Sequence, residues 1–253
     1  MPDHPPYRSQ ELDHLGLVAG MFDALGMGDV IGRATQQNPD MRDLTVGEAV
    51  KAMGLNGLGL ITQALYLVPR FFQNKPPTVS FRPVLLLHSS TMTPSVGPWI
   101  RFMLMGSPNA TASWLLPLPR AWALRPALPI SIARAFMSMD ATTATKSLRN
   151  RSFTAPERIM ALLMVMTICL LVYAALEYRI RKALNDHETT FPNQQGKRTQ
   201  SPTARWVFHY FVGIRVLCQA GQWPIVLNLT AEHQHLLRLL GQPYMSLYDV
   251  QYS

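Results

Sequence analysis

Residues 156–184 read Pro156-Glu157-Arg158-Ile159-Met160-Ala161-Leu162-Leu163-Met164-Val165-Met166-Thr167-Ile168-Cys169-Leu170-Leu171-Val172-Tyr173-Ala174-Ala175-Leu176-Glu177-Tyr178-Arg179-Ile180-Arg181-Lys182-Ala183-Leu184, and the fold turns on how they are read. Pro156-Glu157 suits a helix start, and residues 159–176 then run eighteen positions without a charge before Glu177-Tyr178-Arg179-Ile180-Arg181-Lys182. Eighteen apolar residues are the lower limit for crossing a bilayer, and a basic trailer obeys the positive-inside rule. Against a span, the helix pattern continues into the charged turn. The flank also lacks a tryptophan belt, and Met, Ala, Thr and Cys dilute the apolarity. The reading adopted is a central helix packed on a sheet or between helices. A single-pass membrane protein anchored by residues 159–176 is the alternative.

Toward the C-terminus, Asp186, His187 and Glu188 fit a solvated helix end, and residues 191–201 form a polar loop (Pro192-Asn193-Gln194-Gln195-Gly196-Lys197-Arg198). Pro202-Thr203-Ala204-Arg205 opens an amphipathic segment that runs through Leu217. Thr230 caps a last helix over residues 231–240, stopped by Gly241. His233 and His235 are two apart, which on a helix turns them to different sides. They are therefore solvated residues and not a metal pair.

Toward the N-terminus, residues 12–70 read as helical. Leu15, Val18, Phe22 and Leu25 share a face, with Gly26 and Gly28 where a C-cap falls. Thr45-Val46-Gly47-Glu48 is a capping box, after which Val46, Val50, Met53 and Leu58 line one side. An apolar segment over residues 60–72 is interrupted by Pro69. Gly26-Met27-Gly28-Asp29-Val30-Ile31-Gly32 and Gly54-Leu55-Asn56-Gly57-Leu58-Gly59 lack the preceding strand and the spacing of a dinucleotide fingerprint. Helix termination and close packing account for them.

Between these ends the character of the chain changes. Residues 79–155 hold one acid, Asp140, against eight Lys or Arg and eight Pro, so nearly all of the net +8 comes from there. The basic residues (Arg82, Arg101, Arg120, Arg125, Arg134, Lys146, Arg149, Arg151) follow no helical or strand period. The sequence pI of about 9.8 therefore does not by itself mark a nucleic-acid face. With 253 residues and 48% hydrophobic content the chain has room for one or two domains. Cys169 and Cys218 are isolated thiols without CxxC spacing, read as buried and reduced. The N-terminus shows no signal-peptide pattern, so a cytoplasmic location is expected and the sequons at Asn109 and Asn228 carry no weight.

The two ends carry a resemblance. Residues 156–184 quoted above, with Pro202-Thr203-Ala204-Arg205-Trp206-Val207-Phe208, resemble the C-terminus of bacterial insertion-sequence transposases. Leu12-Asp13-His14-Leu15-Gly16-Leu17-Val18-Ala19-Gly20, Asp43-Leu44-Thr45-Val46-Gly47-Glu48-Ala49 and Leu65-Tyr66-Leu67-Val68-Pro69 are similar to their helical N-terminal domain. Together they span about two thirds of the chain. The resemblance implies a ribonuclease-H-like core with an Asp-Asp-Glu triad. That triad holds two Mg2+ ions, which activate the attacking oxygen and stabilise the leaving one. In the family, the two Asp residues lie between the matched ends and the Glu shortly before the segment matching Pro156. None of the three has a counterpart here.

The genetic code offers a reason. Ser90-Thr91-Met92-Thr93-Pro94-Ser95-Val96-Gly97-Pro98-Trp99-Ile100-Arg101, written with permissible codons and read one nucleotide earlier, gives a family-like segment (Leu-Asn-Asp-Asp-Thr-Leu-Gly-Arg-Ala-Leu-Asp-Thr). The same shift turns residues 131–139 into Leu-Asp-Ser-Thr-Ser-Phe-His-Val-Asp, which resembles the strand bearing the first catalytic Asp. Met92, Trp99, Met137 and Met139 have single codons and constrain both readings. A frameshift near Pro77 follows, together with deletion of the region between the first Asp and the Glu. Residues 146–154 fit no frame.

The expectation is therefore a mainly α chain. A helical N-terminal domain (1–78) and a helical remnant of a ribonuclease-H-like transposase core (156–253) are joined by an irregular, Pro-rich, out-of-frame middle (79–155). The expected function is that of a degenerate transposase fragment, ancestrally cutting and joining DNA, with no catalytic, cofactor or metal residue left. Arg179, Arg181, Lys182 and Arg205 are the candidate DNA contacts. DNA at insertion-element ends and intact transposase subunits are the expected partners. With the sheet lost, the apolar helix face would lie bare. A competent nuclease using Asp140 and other acids is the reading from a third class.

Overall fold

The computed structural model describes residues 7–34, 46–59, 72, 74–76, 156–219 and 224–248. In order these form β1 (Tyr7–Glu11), α1 (Leu15–Ala24), α2 (Met27–Ala34), α3 (Val46–Leu58) and α4 (Pro156–Asp186). There follow β2 (Phe191–Pro192), β3 (Arg198–Thr199), α5 (Ala204–Tyr210), β4 (Arg215–Gln219), β5 (Ile225–Leu227), α6 (Ala231–Leu240) and α7 (Tyr244–Tyr248). The described residues are mainly α with two small sheets, as the periodicity indicates. Residues 79–155, with Asp140, and the capping residue Thr45 lie outside the described residues.

Helix α4 is the axis. From Met164 to Glu177 every residue is buried except Met166 and Thr167, with Val172 and Leu176 wholly so. A helix apolar all round is a core helix, and α4 packs against α1, α3, α5 and α6. The bare face expected from the sequence is thus covered. Among the described residues no helix is long and apolar enough to cross a membrane. Past Leu176 the pattern becomes one-sided: Ile180 and Leu184 stay buried while Lys182, Asn185 and Asp186 are exposed. Asp186, His187 and Glu188 form the solvated end that the sequence indicates.

What covers α4 comes partly from the other end of the chain. Strand β1 pairs antiparallel with β4, setting Tyr7 opposite Gln219 and Glu11 opposite Arg215, and β5 closes the sheet on the far side of β4. The turn after β1 is tied in as well, the amides of Leu12 and Asp13 donating to the Ile214 carbonyl at 3.1 and 3.0 Å. Glycines then bring helices together. A Cβ on Gly54 of α3 would stand 2.4 Å from Phe22 Cζ of α1, and one on Gly57 3.3 Å from Cys169 Sγ of α4. On α1, Gly16 and Gly20 lie one turn apart beneath the rings of Tyr248 and Tyr244 of α7. Gly26 ends α1 with φ of +65°, the left-handed conformation for which glycine pays no Cβ penalty.

Three local readings change. The segment from Pro202 is helical only to Tyr210, and Arg215–Gln219 is a strand. The polar loop of residues 191–201 is a tight hairpin, Phe191 opposite Thr199 and Pro192 opposite Arg198, with Phe191 buried. Helix α6 is capped by Thr230 and ended by Gly241 as expected, but α7 follows it.

Candidate functional site

The first turn of a helix leaves backbone amides without intrahelical partners. Helix α5 has three of them answered by side chains. The Ala204 amide donates to Glu177 Oε2 at 2.9 Å, the Arg205 amide to the Tyr173 hydroxyl at 3.0 Å, and the Trp206 amide to Thr203 Oγ1 at 3.3 Å. Tyr173, Glu177 and Arg181 are spaced i, i+4, i+8 and so share one stripe of α4. Arg181 completes the grip: its Nε donates to the Pro202 carbonyl at 3.0 Å and its Nη2 lies 2.7 Å from Glu177 Oε1. Glu177 is 2% exposed, a buried carboxylate that is tolerable because a guanidinium and an amide answer it.

Arg179 is two residues from Glu177, about 200° round the helix, and points elsewhere. Its Nη2 donates to the Leu240 carbonyl at 3.3 Å and its guanidinium lies 5.2 Å from the Tyr244 ring centroid. The candidate DNA contacts are therefore not one cluster. Arg179 and Arg181 are engaged by α6, α7 and the α5 grip, whereas Lys182 and Arg205 are exposed. The Asp186 carboxylate, 2.8 Å from Lys182 Nζ, holds that ammonium above its usual pKa. Lys197 and Arg198 of the hairpin are also exposed, Arg198 pairing with Glu232 at 2.7 Å.

On the other side of α5, His14 stacks on Phe208 with centroids 4.5 Å apart and its Nε2 lies 3.0 Å from the Leu58 carbonyl. A carbonyl only accepts, so Nε2 carries the proton and Nδ1 is bare. Nδ1 is buried and has no hydrogen-bond partner. Burial pulls the His14 pKa down to about 4. The neighbouring Asp13 sits at φ of +45° and accepts from the Gly213 amide at 2.8 Å. Burial, opposed by that bond, raises its carboxyl above the usual range.

The histidine reading is corrected at His233. It is 5% exposed and fills the Glu/Gln place of a capping box: Nδ1 accepts from the Thr230 amide at 3.0 Å and Nε2 donates to the Tyr210 carbonyl at 2.8 Å. His235 is half-buried. Of the thiols, Cys169 is buried, which pushes it up to about 12, and Cys218 is half-buried with Sγ 3.4 Å from Gln10 Oε1. Buried in this way, the Cys169 thiol is inert at neutral pH. Among the described residues no three His, Cys, Asp or Glu side chains gather closely enough to hold a metal ion. Sequence reasoning passed over the Tyr173–Glu177 grip, although the i, i+4 spacing ahead of Thr203 was there to be read.

Residues 7–84 match the model of a family described as a domain of unknown function, DUF4277. The match spans β1, α1, α2 and α3 and ends seven residues past Pro77. No curated protein and no solved structure matches the chain.

Proposed function

We propose that the chain is a remnant of an insertion-sequence DDE transposase, retaining the two ends of the ancestral protein without its catalytic carboxylates. The observation that carries this reading is that residues quoted for the resemblance at opposite ends meet. His14 of the N-terminal stretch stacks on Phe208 of the C-terminal one, and α4, which carries residues 156–184, packs against α1 and α3. Fortuitous similarity at two unconnected stretches gives no reason for their motif residues to share one core. The DUF4277 match ending at residue 84, a few residues past the inferred frameshift, is in keeping with it.

On this reading Mg2+-dependent strand cleavage is absent, because in-line phosphodiester attack requires a carboxylate cluster to hold the two ions. What remains is a scaffold that ancestrally carried the catalytic segment between its ends. DNA at insertion-element ends is the partner for which Lys182 and Arg205 are the available contacts. The decisive experiment is the nucleotide sequence between the codons for Pro76 and Pro156. A catalytic-domain reading in the neighbouring frame is the expected result, and a blank neighbouring frame overturns the proposal. A cleavage assay with Mg2+ should stay at background and be unmoved by Asp140→Ala.

A further inference from the structure

Helix α5 and the turn after it hold the two ends of the chain together, and a neutral histidine is wedged on each side. His14, from the N-terminal end, stacks on Phe208 and reaches the last turn of α3 through the Leu58 carbonyl. His233, from α6, lies against the Tyr210 and Phe211 rings at 4.9 and 4.6 Å and reaches the Tyr210 carbonyl. The same turn holds the N-terminal end by its backbone: Ile214 accepts from Leu12 and Asp13, and Gly213 donates to Asp13. We propose that residues 204–214 are a proton-operated latch between the two ends, held shut by neutral His14 and His233 and opened when either ring takes up a proton.

The tautomers make the case. In both rings Nε2 must donate, because its partner is a carbonyl, so the incoming proton can go only to Nδ1. At His233 that atom accepts from the Thr230 amide. Protonation sets N–H against that amide N–H and removes its partner, and the Thr230 hydroxyl, 2.8 Å from Nδ1, can take the new N–H only by turning from donor to acceptor while it also caps the His233 amide. At His14 the new N–H has no acceptor in a site that is wholly buried. Of the charged and titratable groups beside His14, Lys75, itself paired with Glu11 at 2.9 Å, and His209 disfavour a charge on the ring, and the neighbouring Asp13 carboxylate is taken up by the Gly213 amide. Glu232, which favours protonation of His233, is itself engaged by Arg198.

The sign follows from linkage. Both histidines titrate below the ordinary 6.5 when folded, His14 near 4. Their contribution is intact above 6.5 and is lost as pH falls from there toward 4. Asp13, whose folded pKa is raised, works in the opposite direction.

The test is the urea midpoint of the full chain at pH 7 and pH 5, for the natural sequence and for His14→Gln, His233→Gln and the double variant. Glutamine cannot titrate in this range. At position 14 its amide can still donate to Leu58, and at 233 it is the ordinary capping-box residue. The natural chain should lose midpoint between pH 7 and pH 5, each single variant less, and the double variant none. A double variant that loses as much as the natural chain overturns the latch. Should His14→Gln not fold, ring-proton NMR of the natural chain decides. His14 and His233 must hold their neutral shifts until unfolding begins, and titration near 6.5 in the folded chain overturns the proposal.

Discussion

Helices α1 and α5 meet their neighbours in opposite ways. Helix α1 offers missing side chains: the rings of Tyr248 and Tyr244 occupy the room above Gly16 and Gly20, and Phe22 occupies the room at Gly54 of α3. Helix α5 offers polar atoms instead, with three amides of its first turn answered by Glu177, Tyr173 and Thr203. The N-terminal end is therefore specified by shape and is broken by adding a carbon. The end beyond α4 is specified by hydrogen bonding and is broken by removing an oxygen. Neither is complete alone, since α7 covers α1 while β1 supplies an edge of the sheet that contains β4 and β5.

The sharpest way to break this comparison is Glu177→Ala. It strands Arg181 in a half-buried site and leaves the Ala204 amide unanswered. Breaking a buried ion pair by removing one partner costs about 3–5 kcal/mol. Urea unfolding should show a loss of that order, and a loss under 1 kcal/mol would mean that the grip is ornamental. Next in size is Gly54→Ala. The new methyl meets Phe22, a ring 1% exposed with nowhere to swing. Overpacking costs about 1–3 kcal/mol, offset in part by the roughly 1 kcal/mol that alanine gains over glycine in a helix. A net loss of up to about 2 kcal/mol is expected. Both substitutions should move the same single transition if the two ends unfold as one unit. Two transitions, each answering to one substitution, would divide the molecule at α4.

How much of this was legible in the sequence depended on range. The α6 boundaries were readable from Thr230 and Gly241, and the close of α1 from Gly26, because a cap is written within a few residues of what it caps. The eighteen uncharged residues of α4 announced a buried helix but could not name its surroundings. Strands β1 and β4 were missed for a physical reason. Tyr7 and its partner Gln219 are 212 positions apart, and Val216-Leu217-Cys218 has no alternation that marks it against a helical reading. His233 was misread because on a solvated helix its spacing from His235 decides the matter, whereas here the ring turns back into its own cap. The candidate DNA contacts divided for the same reason: residues 179 and 181 look adjacent in a string but lie on different sides of a helix.

The smallest effects sharpen the comparison from the polar side. Thr230→Ala removes one N-cap hydroxyl, which also lies 2.8 Å from His233 Nδ1, and a cap of this kind is worth about 1 kcal/mol. The same hydrogen-bonding logic that makes Glu177 large makes Thr230 modest, because water can replace a partner at the end of a half-exposed helix but not beneath Tyr173. At the far limit stands Lys182→Ala. Its ion pair with Asp186 is geometrically sound at 2.8 Å, yet both side chains are more than half exposed, and pairs of that kind contribute little once solvent screens them. The thermal midpoint should not move. If Lys182→Ala leaves stability untouched but weakens retention of an insertion-element-end duplex, the residue serves a partner and not the fold. If neither changes, Lys182 is an ordinary solvated lysine, and Arg205 is left as the contact to test.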